Sequence, residues 1–231
     1  MHRADIQEML RIIEVETRMT RMLTGRSALR SEVMDAMASV PRHQFVASDL
    51  RPYAYSNGPL PIGNGQTISQ PFIVALMTDL LCPEPDDVML EVGAGCGYQA
   101  AVLSLLIHQL YTIEIIPSLA SDAAQRLKKL GYHNVEVCQG DGYHGWPEHA
   151  PFDGIIVTAA ASHIPNPLQE QLRPGGKLVI PVGLPYHTQQ LMVLKKESDR
   201  SFIQNDILSV AFVPLTGLGH DRENDSSRKK R

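Results

Sequence analysis

The chain has 231 residues, 43% of them hydrophobic, and a formal net charge of −4. That is enough to bury one sizeable α/β core with a further helical segment, and it leaves no basic stripe for a dedicated nucleic-acid surface. Cys82, Cys96 and Cys138 are an odd set without metal-ligand spacing, which excludes a disulfide framework and a structural zinc and points to a reducing compartment.

From Met1 to Leu23 charges interrupt the apolar residues, unlike the core of a signal peptide, so a cytoplasmic protein free of membranes is expected. Ile6, Met9, Leu10, Ile13, Met19 and Leu23 approximate helical spacing, and Val33, Met34, Met37 and Val40 predict a second helix ending before Pro41. Residues 41–66 carry Pro41, Pro52, Pro59 and Pro61 with the pairs Asn57-Gly58 and Asn64-Gly65, and read as an ordered loop. Residues 1–66 are therefore expected to form a helical extension and loop cap. A helix over 70–81 follows, with Ile73, Leu76, Met77 and Leu80 on one face and Pro83 and Pro85 as its stop.

The chain then alternates: strand 88–92, helix 97–108, strand 110–115, helix 117–130, and strands 135–139 and 153–158. A helix near 165–172, a turn at Pro174-Gly175-Gly176, a strand 177–182 and two late strands at 189–195 and 206–213 complete it. The rhythm predicts a doubly wound, mostly parallel Rossmann-like sheet over residues 67–219. The last two strands, joined by a short connection, should be antiparallel to each other. Residues 220–231, ending in Arg228-Lys-Lys-Arg231, are expected to be a disordered charged tail.

Leu90-Glu-Val-Gly-Ala-Gly-Cys-Gly-Tyr98 runs a buried strand into a glycine loop that opens onto a helix. Gly93, Gly95 and Gly97 allow a tight turn and close backbone approach to a ligand. The third glycine follows the second by two residues, where a dinucleotide fingerprint needs three, and Glu91 places an acid at the strand end. A carboxylate there suits a cationic ligand, which favours S-adenosylmethionine (SAM) over a nicotinamide cofactor. Glu114, 23 positions after Glu91 at the end of the next strand, has the spacing of a ribose clamp. Asp141 in Gly140-Asp-Gly142 has two readings, an acceptor for the adenine amino group or a turn aspartate. Cys96 sits where a helix N-terminus would lower a thiol pKa, but its place inside the loop reads as small packing. The nine histidines are scattered without metal-ligand spacing, so no metal is expected.

Pro61-Ile-Gly-Asn-Gly-Gln-Thr-Ile-Ser-Gln-Pro71 is too polar and glycine-rich to be explained by core packing. Here the chain resembles the protein-L-isoaspartate O-methyltransferase family. The resemblance runs from Val40-Pro-Arg-His-Gln-Phe-Val46 through 61–81, the glycine loop, Gly140-Asp-Gly142, Ala150-Pro-Phe-Asp-Gly-Ile-Ile-Val-Thr-Ala-Ala160, Leu172-Arg-Pro-Gly-Gly176 and Pro181-Val-Gly183 to Phe212-Val-Pro-Leu-Thr216. It implies a SAM-dependent methyltransferase whose acceptor is an L-isoaspartyl, or less readily a D-aspartyl, carboxylate in damaged proteins and peptides. It also implies Ser69 as the catalytic hydroxyl, with Thr67, Ile68, Glu91, Gly93, Ala94, Gly95, Cys96, Gly97, Glu114, Ile115, Asp141, Gly142 and Thr216 around the cofactor. Ala94 and Cys96 replace the Thr and Ser more usual in bacterial members, a change between small residues. A monomer is the default expectation.

Two other readings lack their residues. A nicotinamide oxidoreductase would want a Tyr-x-x-x-Lys pair, which is absent, and amino-directed nucleic-acid methylation an Asn/Asp-Pro-Pro-Tyr element where this chain has Val157-Thr-Ala-Ala160. A non-catalytic partner-binding protein on the same fold is the third reading, and the intact glycine loop with Glu114 and Ser69 argues against it.

Overall fold

The computed structural model describes residues 2–184, 187–198 and 201–217; the tail expected over 220–231 lies outside them. The chain opens with helices α1 (Arg3–Met19), the one-turn α2 (Arg21–Thr24) and α3 (Ser31–Ser39). Two 3₁₀ turns, Arg42–Gln44 and Ser48–Tyr53, lead to a hairpin of β1 (Leu60–Gly63) and β2 (Gln66–Ile68). Residues 41–66 are thus more regular than a loop. Asn64 and Gly65 both have positive φ, 53° and 70°, the two-residue turn that Asn-Gly favours in a hairpin. The flanking strands are too short to announce themselves by alternation.

After α4 (Pro71–Leu81) come β3 (Val88–Val92), α5 (Tyr98–Ser104), β4 (Gln109–Glu114), α6 (Pro117–Leu130), β5 (Val135–Gln139), β6 (Phe152–Val157), α7 (Asn166–Glu170), β7 (Leu172–Val182), β8 (Gln189–Ser198) and β9 (Ser201–Val210). The seven-stranded sheet has the order β5-β4-β3-β6-β7-β8-β9, parallel from β5 to β7, with β8 antiparallel to β7 and β9 antiparallel to β8. The connections leave β3 toward β4 on one side and later return to β6 on the other. The β3–β6 junction is therefore the switch point, where open α/β sheets bind ligands beyond the strand ends.

Side chains alternate across β3: Leu90 and Val92 join Ile155, Val157 and Ile180 on one face, while Met89 packs on the other with Leu76, Met77 and Leu103. That second cluster also holds Met9 and Ile13 of α1 and Val33 and Met37 of α3. The N-terminal helices cover the outer side of α4, so α4 is buried nearly all round, not on one face, and Ile73 is its one half-buried residue. Four boundaries differ from the sequence reading. Helix α5 stops at Ser104, not 108, because the Asn134 side chain donates to the carbonyls of Ser104, Ile107 and His108 (2.8, 3.2 and 3.3 Å) and takes over its C-terminal end. Helix α7 is shorter than 165–172. Pro174-Gly175-Gly176 is an irregularity inside β7, where Phe152 and Gly154 pair with Leu172 and Lys177. Strand β9 begins at Ser201, five residues before the predicted start, because Phe202 and Ile203 are followed by the exposed polar Gln204, Asn205 and Asp206, so its first half shows no apolar alternation.

Candidate active site

The glycine loop and the end of β6 are clasped together at the switch point. The Thr158 hydroxyl donates to the Gly93 carbonyl (2.6 Å) and its N–H to Val92 O (2.9 Å). Gly93 has φ 98°, and a Cβ there would collide with the Thr158 hydroxyl, so only glycine lets the two strand ends meet. Gly97 has a different task. A Cβ on it would press on Leu127, so it seats α6 against the start of α5 and does not face the cleft. Across the loop, Glu114 accepts from Gly95 N (2.8 Å) and Ile116 N (2.9 Å). Each carboxylate oxygen keeps lone-pair capacity for a further donor, such as a ribose hydroxyl.

Two small cavities of about 40 Å³ each share Gly93 in their walls. One is lined by Gln66, Glu114, Ile115, Gly142 and Thr216, the other by Thr67, Ile68, Ser69, Ala94, Gly95 and Cys96. Ile62 of the hairpin lies over Gly95, so β1–β2 forms the roof. A third space, an open groove of about 560 Å³, runs from Glu16 and Thr20 of α1 past Phe72 and Ile73 to Leu208–Val213 at the end of β9. Thr67, Ser69 and Thr158 belong to both the groove and the second cavity. Ser69 is thereby brought to the place where groove and cavity meet. Its hydroxyl has no hydrogen-bond partner among the described residues, and its carbonyl accepts from Arg42 Nη2 (2.8 Å).

Arg42 is fully buried. It donates from Nε to Ala54 O (2.7 Å), stacks 4.7 Å above the Tyr98 ring, and leaves Nη1 without a hydrogen-bond acceptor among the described residues. The guanidinium pins the Ser69 segment to the 3₁₀ turn before it and to the helix after the glycine loop. Sequence reasoning placed Val40–Val46 in the resemblance but gave Arg42 no role. It also missed Gln66, Ile116, Tyr98, Gln99 and Thr158, which line the cavities; the position of Thr158 just past a predicted strand end was the available signal.

Three of the expected site residues stand back from the cavity walls: Gly97, Glu91 and Asp141. Glu91 is wholly buried, accepts from Thr112 Oγ1 (2.5 Å), and leaves Oε1 unpartnered. Burial pushes its carboxyl up to about 8, with the nearby Glu114 adding to the rise and the Thr112 bond opposing it. Asp141 caps the turn Gly142–His144 by accepting from Tyr143 N (3.0 Å), and Gly217 packs directly on its carboxylate. Cys96 is buried and its thiol is pushed up by that burial, which removes the activation a helix N-terminus would give.

A family model described as protein-L-isoaspartate(D-aspartate) O-methyltransferase matches residues 15–220. The chain belongs to this family. It is 59% identical over 213 residues to a protein-L-isoaspartate O-methyltransferase 2 of Syntrophobacter fumaroxidans, covering 92% of this chain and 86% of the relative. It is 59% identical over 209 residues to the same-named protein of a Polaromonas species, covering 90% and 99%. A solved protein-L-isoaspartate O-methyltransferase superposes with a TM-score of 0.84 at 26% identity, over 98% of this chain and 70% of that one. A second, from Plasmodium falciparum and in complex with S-adenosyl-L-homocysteine, superposes with a TM-score of 0.71 at 24% identity, over 93% and 98%. The family's fold is thus the one described above, and the chain is a SAM-dependent protein-L-isoaspartate O-methyltransferase.

Proposed function

We infer that this chain transfers the methyl group of SAM to the free carboxylate of L-isoaspartyl, and less readily D-aspartyl, residues in damaged proteins and peptides. The reading rests above all on Ser69, whose unpaired hydroxyl lies where the wide groove meets the loop cavity. The groove takes the peptide. The two cavities take the cofactor, with Glu114 on the ribose, Ile115, Gly142 and Thr216 beside the nucleoside, and Thr67, Ile68 and Gly93–Cys96 beside the amino-acid end. Asp141 caps the turn that carries Gly142. Glu91 lies behind the loop as a buried acid that responds to positive charge in the cavity.

When bound, SAM supplies an electrophilic methyl group on a sulfonium. The chain's own work is positional. An isoaspartyl α-carboxylate with a pKa of about 3.5–4 is ionised at neutral pH and needs no general base. Ser69 donates a hydrogen bond that orients it, Arg42 holds the Ser69 backbone, and the hairpin roof excludes water from a step in which opposite charges merge. The methyl ester that leaves is a better acyl electrophile than the carboxylate, so ring closure to succinimide and hydrolysis proceed without the protein.

Residues 1–66 act as the cap and 67–219 as the catalytic core. Among the described residues no helix is long and apolar enough to cross a membrane. We read the protein as a cytoplasmic monomer without a nucleic-acid partner, which light scattering of the purified chain tests for size. The activity is tested with labelled SAM and two peptides of one sequence, containing L-isoaspartate or L-aspartate. Base-labile label on the isoaspartyl peptide alone is the expected result; equal label on both, or none, overturns the reading.

A further inference from the structure

The groove assigned to the peptide carries a single formal charge. Glu16 is the charged residue in its wall, and among the described residues no lysine, arginine or histidine lines it. Phe72, Ile73, Leu208 and Phe212 make much of the rest apolar. Glu16 stands near the C-terminal end of α1, half-buried, with no ion-pair partner among the described residues. It is held in place: Oε1 accepts from Asn57 Nδ2 (3.3 Å), while Asn57 Oδ1 accepts from Phe72 N (3.4 Å) in the first turn of α4. A fixed carboxylate against low-dielectric walls projects its field along the groove, where a loose surface acid would be screened.

The peptide brings one negative charge of its own, the reacting carboxylate, to Ser69. The buried cation Arg42 is bonded to that end of the groove, and Glu16 stands in its wall elsewhere. A second anion on the peptide meets Glu16 with nothing to neutralise it; a cation finds an unpaired acid. An extended peptide advances about 3.3 Å per residue, so neighbours within two or three positions of the isoaspartate share the groove with it.

We propose that Glu16 determines which damaged sites are taken, so that isoaspartyl residues flanked by lysine or arginine are preferred over those flanked by aspartate or glutamate. The proposal rests on Ser69 marking the acceptor end of the groove. It concerns the neighbours of the isoaspartate and not the methylated group.

The test uses L-isoaspartyl peptides of one sequence with Lys, Ala or Glu placed two residues before or two residues after the isoaspartate. With the wild-type chain at low salt, kcat/KM falls in the order Lys, Ala, Glu on at least one side, with a spread of about tenfold between the extremes that narrows as salt is raised. In Glu16→Gln, whose amide oxygen still accepts from Asn57, the spread collapses to about twofold. Titration with SAM verifies that the variant is folded. No spread in the wild type, a spread that salt does not touch, or one that survives in Glu16→Gln overturns the proposal. If the Ala-flanked peptide is not methylated by the wild type at all, the proposed activity fails instead, so the two failures are distinguishable.

Discussion

The half of the candidate site that we assign to the cofactor and the half that we assign to the acceptor share Thr67, Ser69 and Thr158 but are built by opposite means. On the cofactor side, strand ends are locked by short bonds from Thr158 and to Glu114, the loop adopts conformations open to glycine, and the cavities are about 40 Å³ each. On the acceptor side, a groove of about 560 Å³ is walled by α1, the start of α4 and the end of an edge strand, largely by apolar contact. A ligand that is the same in every turnover rewards rigid, directional contacts. An acceptor that occurs in any damaged sequence needs room and a few steering groups.

Variants can break or sharpen that division. The largest effect belongs to Arg42, which joins the halves. Arg42→Met strips a donor from Ala54 O and Ser69 O and should cost about 3–5 kcal/mol in chemical denaturation; a loss under 1 kcal/mol would show that the halves hold together without it. Next is Glu91, beneath the cofactor half. Its carboxyl is raised from 4.5 to about 8 in the folded chain, so between those values the unfolded chain releases a proton that the folded one keeps. The contribution of Glu91 to stability is therefore full below about 4.5 and is lost as pH rises toward 8. Glu91→Gln should recover about 2–4 kcal/mol at pH 8 and flatten the melting temperature between pH 5 and 8; an unchanged slope rules out Glu91 as its source.

Smaller effects separate the two ligands. Glu114→Ala should weaken SAM binding by about 10- to 100-fold, the worth of charge-assisted bonds lost at about 1.5–3 kcal/mol, and unaltered affinity by calorimetry would remove it from the cofactor half. Ser69→Ala should lower kcat about tenfold with SAM affinity intact, since it removes an orienting bond of about 1–1.5 kcal/mol. Wild-type turnover in that variant would leave the acceptor half without its hydroxyl.

The same division governs what was legible in the sequence. The cofactor half could be read because strand ends and glycines have fixed spacings: Glu114, Gly93 and Gly142 lie where the rhythm of β3, β4 and β5 places them. Glu91 stands back from the cavity walls because strand alternation turns its side chain to the opposite face from Val92. The acceptor half was visible only through the polar segment around Ser69. Its other walls, Glu16 on α1 and Leu208–Val213 at the end of β9, are 192 to 197 residues apart in sequence and come together through packing that no local pattern records. The largely exposed first half of β9 hid the start of that strand, while its groove-lining end falls within the expected strand 206–213.

Thr67, Ser69 and Thr158 face both spaces. A wall of the groove is also a wall of the cavity lined by Thr67, Ile68 and Gly93, and the hairpin above it is fastened at its tip to α6 by a 3.3 Å bond from Asn64 to Ser118. If the groove holds the peptide and the cavity the donor, one wall serves both, and a change at Thr67 or Thr158 reaches both ligands at once.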